Sequence, residues 1–474
     1  MGRFESSLFV AQWRLHDRLK YRNRWLSGLL IGAWATLPFS RDKRWHYLLA
    51  AHRFSYGAFG SSFGAFAERR IRSNLEKVVD YSSRVLASRS GVDGSTDYAF
   101  YQRVIVLKEP VFEGEQLTEK GVLLIKFTDS FVYLYRNFDV NALMEQFYLV
   151  LEPSWSGYAQ PSILTWLQYP QPILVQASEV RDRRLLEQIG GNLKPLPIGA
   201  SDWVDHRVFH PLSGYTKDFD AVLIGNAGLA KRIHVYLRAV SRISDPDYHC
   251  ALVVSRYGQY REKILNLIDY YGLSERVTVF KRMSQQELNV LLNRSKVNLL
   301  LSLKEGSNRA LFEGFFAGTP ALLLRENVGV NKDYVNEYTG RLVDEQSLPD
   351  ELVYMKQNWD WFQPRQWAMD NISFSRSTER IAEHLREIAQ AEGLGFTGTL
   401  YEKINVPEIF YPNDPDGSAR RRLVEEHVVP LALNQPSAAA ADDDPQWKQD
   451  RPVRGRARPF AALRRTKRSP RREL

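Results

Sequence analysis

The stretch KEGSNRALFEGFFAGTP, residues 304–320, holds two carboxylates eight positions apart, Glu305 and Glu313, with a Gly-Ser-Asn turn after the first. An ionised carboxylate only accepts hydrogen bonds, and its two oxygens can take both hydroxyls of a vicinal diol. Asn308 is a favoured N-cap residue, so a helix is expected to begin there. The first amides of a helix have no partners within it and sit at the positive end of its dipole, which suits a phosphate. Glu313 would lie about one turn into that helix and Glu305 on the loop before it, with Gly306, Ser307, Asn308 and Arg309 between. Such a cradle fits one ligand that presents a diol, then phosphates, then a second ring of hydroxyls, and a nucleoside-diphosphate sugar has that order. Two surface glutamates flanking an ordinary loop would share the spacing. The position of the loop in the fold has to separate the two readings.

The elements around the stretch place it at a sheet's carboxyl end. VNLLLSL (297–303) precedes it and ALLLR (321–325) follows it. Upstream stand DAVLIG (220–225), HCALVV (249–254) and RVTVFK (276–281). These runs are apolar on both faces and alternate with helical segments near 229–242, 258–271 and 284–294, the last opened by the capping box Ser284 to Glu287. Five such strands predict a Rossmann-like parallel sheet, whose ligands bind beyond the strands' carboxyl ends. A second series, RVIVLK (103–108), GVLLIKF (121–127), FYLVLE (147–152) and PILVQAS (172–178), predicts another parallel sheet. The fold class is therefore α/β with two Rossmann-like domains. The expected division is a basic, mostly helical extension over 1–95, an N-terminal domain over 96–212, a C-terminal domain over 213–345, helices over 346–415 and a disordered basic tail over 416–474. YGAFGSSFGAF (57–67) is too glycine-dense for an easy helix and reads as a loop or a close-packing segment.

Residues 220–345 resemble the donor-binding domain of the GT-B glycosyltransferases of family 4. The residues that carry the resemblance are Glu305-Gly306-Ser307-Asn308, Glu313, Gly318-Thr319-Pro320 with the strand after it, and the run LSERVTVFKRMSQQELNVLLNRSKVNLLLS before it. PLPIGASDWVDHRVFHP (195–211) is similar to the family's hinge, and RQWAMDNISFSRSTERIAEHLREIA to its closing helices. The resemblance implies two domains facing across a cleft and transfer of a hexose from a nucleotide sugar to an acceptor with retention at the anomeric carbon. It implies catalytic roles for Glu305 and Lys231, and no metal or cofactor. It puts the donor on Glu313, Gly306, Ser307, Asn308, Arg309, Gly225, Asn226 and Arg232. The family carries an arginine where this chain has Asn226, so Arg232 or Arg309 is expected to supply the missing charge. On the acceptor side, LEPSWSGY offers Glu152 to orient a hydroxyl and Trp155 or Tyr158 to stack on a sugar. The family's N-domain histidine has no counterpart between residues 53 and 205. A binding or scaffold protein that keeps the fold without turnover, and a nucleotide-sugar epimerase, are the competing readings.

Charge and composition narrow the partners. The net charge is +9, concentrated at the ends. Residues 1–90 hold 16 Lys or Arg against 6 Asp or Glu, and residues 451–474 hold 10 against 1. Basic ends suggest contact with an anionic membrane surface, whereas specific nucleic-acid binding is not expected because the tail lacks a folded motif. WLSGLLIGAWATLPFS (25–40) is too short to span a bilayer and reads as an accessory helix or an interfacial segment. The localisation expected is cytoplasmic, with possible peripheral contact to a membrane. The single cysteine, Cys250, excludes an internal disulfide. The acidic clusters at 245–247 and 442–444 read as solvated acids.

Overall fold

The computed structural model describes residues 3–37, 41–55, 58–88, 100–254, 260–406 and 408–433. The chain opens with α1 (Arg3–Asp17), a π-helical turn and α2 (Arg24–Thr36), followed by α3 (Arg41–Phe54), α4 (Ala58–Arg72) and α5 (Leu75–Ser88). The N-terminal lobe follows with β1 (Val104–Lys108), β2 (Val111–Glu113), β3 (Gln116–Glu119), β4 (Gly121–Lys126), α6 (Thr128–Asn137), α7 (Val140–Gln146), β5 (Phe147–Glu152), α8 (Pro161–Leu164), β6 (Ile173–Gln176), α9 (Val180–Ile189) and β7 (Leu193–Leu196). The C-terminal lobe has β8 (Ala221–Gly225), α10 (Ile233–Val240), β9 (Cys250–Val254), α11 (Arg261–Tyr270), β10 (Val277–Phe280), α12 (Gln285–Asn293), β11 (Asn298–Leu300), α13 (Arg309–Phe316), β12 (Ala321–Leu324) and β13 (Gly340–Val343). α14 (Leu348–Asn358), α15 (Pro364–Ile372), α16 (Phe374–Glu392), the hairpin β14 (Ile404–Asn405) and β15 (Ile409–Phe410), and α17 (Ser418–His427) complete it.

The N-terminal sheet has the order β1-β4-β5-β6-β7. β4 to β7 are parallel, but β1 pairs antiparallel with β4, against the expectation of a wholly parallel sheet. The link between β1 and β4 holds only the hairpin β2–β3, which is too short for the crossover that parallel neighbours need. Each later strand is added beside the last. One sheet face therefore packs Leu123, Leu149 and Ile173 with Val78 of α5 and Phe131 of α6. The other face packs Val122, Val150 and Leu174 under Ile381 and Leu385 of α16, which returns from the C-terminal end of the chain.

The C-terminal sheet is parallel throughout, in the order β10-β9-β8-β11-β12-β13. Its central strands bury apolar side chains on both faces. Leu223, Leu252 and Leu299 enter one core, while Val222, Val253 and Leu300 enter the other. The chain builds outward from β8 to β10, then returns to the middle with β11. β8 and β11 thus flank the topological switch point.

Two expectations for the extension change. Phe9, Val10 and Trp13 of α1 are buried in the C-terminal lobe's core, and Trp13 Nε1 donates to the Leu229 carbonyl at 2.9 Å. Trp45, Leu48, Leu49 and Ile71 join the N-terminal core instead. The extension therefore serves both lobes rather than the acceptor lobe alone. The glycine-rich segment is helical from Ala58. Gly64 lets Ser55 and Arg181 approach to within 3.3 Å of where a Cβ would stand, so the cost of glycine in a helix is offset by close packing. The expected disordered tail begins too early as well. Leu423 and Val424 of α17 are buried in the N-terminal core, and of the expected tail it is residues 434–474 that fall outside the described residues. The acidic cluster at 442–444 lies in that undescribed part.

Candidate functional site

The loop after β11 and the turn after β8 meet over the switch point. Gly225 ends β8, and Lys231 folds back over it. A Cβ on Gly225 would stand 3.1 Å from Lys231 Cγ. Lys231 Nζ donates to Glu305 Oε1 at 2.6 Å. Asn226 is exposed, and its Oδ1 accepts from the Gly228 amide at 3.0 Å, a local turn. Asn308 caps α13 as expected, accepting from Leu311 N at 3.0 Å. Arg309 Nε donates to Glu313 Oε1 at 2.7 Å, and Glu313 is buried. Lys231, Glu305, Gly306, Ser307, Asn308, Arg309 and Glu313 thus occupy two adjacent loops and one helix start.

The N-terminal lobe closes directly on this loop. Gly306 packs so tightly on the Ser154 backbone that a Cβ would lie 1.8 Å from the Ser154 carbonyl oxygen. Ser156 Oγ donates to the Glu305 carbonyl at 3.2 Å. Ser307 Oγ accepts from Ser201 N at 2.9 Å and donates to Ser201 Oγ at 2.6 Å, so its hydroxyl is engaged with the segment joining the lobes. Glu179 Oε2 accepts from the Gly329 amide at 2.7 Å. The carboxyl ends of β5 and β11 therefore face each other, with the Glu305 loop between them.

Three expected site residues lie elsewhere or are committed. Arg232 is buried with φ +52, a left-handed backbone that only a well-held non-glycine residue keeps. Its Nε donates to Asp17 at 2.8 Å, one terminal nitrogen to the Leu301 carbonyl at 3.2 Å and the other to Glu345 at 2.6 Å. It pins α1 to the C-terminal lobe, with each of its three nitrogens bonded and the guanidinium buried away from an incoming phosphate. Glu152 is 1% exposed, and its oxygens accept from Lys403 at 2.7 Å and Asn405 at 3.0 Å, so it is not free to orient an acceptor hydroxyl. Tyr158 is buried with its hydroxyl on the Gln176 carbonyl at 2.5 Å, so its ring is part of the core. Trp155 is exposed at the mouth of the same loop.

Sequence reasoning missed the cations around Glu152. Asn405 comes from β14 of the C-terminal hairpin and Lys403 from the residue just before it. Burial pushes the Lys403 ammonium down to about 7, while Glu152 pulls it back up. Lys126 ends β4 directly across from Glu152 in the ladder. It is 4% exposed and has no hydrogen-bonded or ion-paired partner among the described residues. Burial pushes it down to about 8, with Glu152 pulling upward and Arg309 and Arg103 pushing further down. Phe127 beside it has φ +72, an outlier for an aromatic residue, and its ring centre is 4.9 Å from Lys126 Nζ and 5.0 Å from the Arg103 guanidinium. A basic residue closing the run GVLLIK was the only sequence signal of this cluster. A separate cavity of about 670 Å³, lined by Arg183, Pro197, Asn331, Tyr334 and Arg380, contains none of the residues around Lys231 and Glu305.

Two α/β lobes that meet at the carboxyl ends of their strands define a GT-B architecture. Residues 209–354 match the family described as "Glycosyl transferases group 1", so the match falls on the lobe that carries Lys231, Glu305 and Glu313. Comparison with curated proteins finds no match. Among solved structures, the chain is similar to sucrose-phosphate synthase from Thermosynechococcus elongatus (18% identity, 57% of this chain and 74% of that chain covered, TM-score 0.45). It is also similar to HepE of Anabaena in complex with UDP (16%, 56% and 78%, TM-score 0.45) and to a glycosyltransferase from Rickettsia africae (14%, 51% and 77%, TM-score 0.41).

Proposed function

We propose that this chain transfers a hexose from a nucleoside-diphosphate sugar to an acceptor, with retention at the anomeric carbon, as a GT-B enzyme of the family 4 type. The observation that carries the reading is the Lys231–Glu305 pair at the switch point between β8 and β11, beside the Asn308-capped start of α13. In this reading the diphosphate takes Lys231 from Glu305 and rests on the free amides of the first turn of α13. Glu305, released, orients a hydroxyl of the sugar, and Glu313 takes the ribose diol. Arg309, held between Glu313 and the Asn405 carbonyl, adds the charge that Asn226 does not. Charge that grows on the leaving phosphate is stabilised by groups already in place, which lowers the barrier without a protein nucleophile. The leaving diphosphate itself accepts the acceptor's proton, so the reading calls for no metal.

A calorimetric screen of the purified chain against UDP-, GDP-, ADP- and TDP-sugars tests it, followed by product analysis with the donor that binds. Saturable binding of one donor with slow release of free sugar is expected. Tight binding with neither hydrolysis nor transfer to any acceptor tried would favour a scaffold that keeps the site.

A further inference from the structure

We propose that α2 lays its outward face on an anionic membrane surface, independently of what the cleft catalyses. The helix is inverted relative to an ordinary surface helix. Its inward positions are small: Gly28, Gly32 and Ala35 are buried against α3 and α4. An added Cβ at Gly32 would come within 2.0 Å of the Phe63 ring, and one at Gly28 within 3.0 Å of Ser55 Oγ. Its outward positions are Leu26, Leu29, Leu30, Ala33, Trp34 and Leu37, all exposed. Leu30 and Trp34 are 60% and 51% exposed. The spacing of three, one, three, one and three is a single helical stripe about 16 Å long. A helix on a water-facing surface puts its polar residues there, so this stripe is built for an apolar occupant.

Charge decides which occupant. The first 55 residues carry ten Lys or Arg against three Asp or Glu. Two of the three acids are spoken for, Asp17 by Arg232 and Asp42 by Arg84. Arg14, Arg18 and Lys20 on the preceding helical segment, and Lys43 and Arg44 on α3, are exposed. Leu15 and Leu19 on that same preceding segment are exposed as well. A second copy of this chain docked stripe to stripe would bring two cationic surfaces together. An anionic bilayer accepts the stripe among its acyl chains and the cations among its headgroups. No helix among the described residues is long and apolar enough to cross a membrane, which fits a helix lying in the interface.

The test uses the full chain, co-sedimented with phosphatidylcholine vesicles that do or do not contain phosphatidylglycerol. The wild type is expected to bind the anionic vesicles and to release partly in high salt. The double variant Leu29→Asp, Leu30→Asp should bind them at least about tenfold more weakly. Its melting temperature should not change, because both side chains already face outward. Brominated lipid should quench Trp34, seen as the difference between the wild type and Trp34→Phe. Binding that survives the double variant would place the contact elsewhere, on the basic tail for example, and overturn the proposal. A concentration-dependent dimer lost in the double variant, without vesicle binding, would overturn it in favour of a second copy.

Discussion

Lys231 Nζ and Glu305 Oε1 stand 2.6 Å apart, joining the two strands between which the sheet reverses its order. Neither group is fully exposed, yet neither is sealed; the side chains are 20% and 9% accessible. Such a pair is a held position rather than a buried lock. An arriving diphosphate can exchange one anionic partner of Lys231 for another.

That exchange gives the first prediction. Lys231→Ala should weaken binding of the nucleoside diphosphate found in the donor screen and lower kcat about a hundred- to a thousandfold. Glu305→Gln should leave diphosphate binding equal or tighter, because the competing carboxylate is gone, while sugar transfer falls. Titration calorimetry with the nucleoside diphosphate and with the intact donor separates the two effects. Equal diphosphate affinity in the wild type and Lys231→Ala would remove the phosphate role.

Glu313 makes a narrower claim. If it takes the ribose diol, the wild type should bind the 2′-deoxy form of its donor nucleotide about tenfold more weakly, and Glu313→Ala should not distinguish the two. A charge-assisted hydrogen bond is worth about 1.5–3 kcal/mol, enough to resolve in such a cycle. Discrimination that persists in Glu313→Ala would show that another group reads the hydroxyl.

Much of this arrangement is legible in the chain, for a physical reason. β8, β9 and β12 are apolar at every position and β11 departs from that at Asn298, so the runs stand out. β7 (LKPL) and β13 (GRLV) end their sheets, carry a lysine or an arginine at exposed positions, and give no such run. The capped helix start at Asn308 is local, and was readable for that reason. The partner of Glu152 was not. Lys403 lies 251 positions away, just before a two-residue strand, and no periodicity links them. Lys231 and Arg232 look alike as neighbouring cations, but the left-handed backbone at Arg232 sends it to Asp17 and Glu345.

Arg232 should therefore matter for stability and not for donor binding. Arg232→Ala takes the buried guanidinium from Asp17 and leaves Glu345 its contact with Arg238, and removing one partner of a buried ion pair typically costs about 3–5 kcal/mol. Urea unfolding should show the loss, with α1 as the first element to exchange its amides. The folded fraction should bind donor as the wild type does. A donor affinity that drops with unchanged unfolding would return Arg232 to the site.

Lys126 gives the last prediction, in which pH is the probe. The groups acting on its ammonium are Glu152 and Glu408, which favour the charge, and Arg309 and Arg103, which oppose it with burial. Its pKa falls from about 10.5 in the unfolded chain to about 8 in the folded one. Between those values the unfolded state holds more protons, so the stability contributed at this site rises with pH. Below about pH 8 the full cost of burying the charge is present, roughly 3 kcal/mol. Lys126→Met keeps the stem's volume and removes the charge. It should therefore stabilise the fold at pH 7, and the gain should shrink as pH climbs from 8 toward 10.5. Glu152 keeps Lys403 and Asn405, so the variant strands no carboxylate. A chain that retains so costly an ammonium at the end of β4, beside a strained Phe127, is expected to use it, and transfer activity should fall in Lys126→Met while donor affinity holds. Denaturant melts of the two proteins at pH 7 and pH 10 check the first half. A gain that is absent at pH 7, or that grows with pH, would show that the ammonium is solvated and not buried alone.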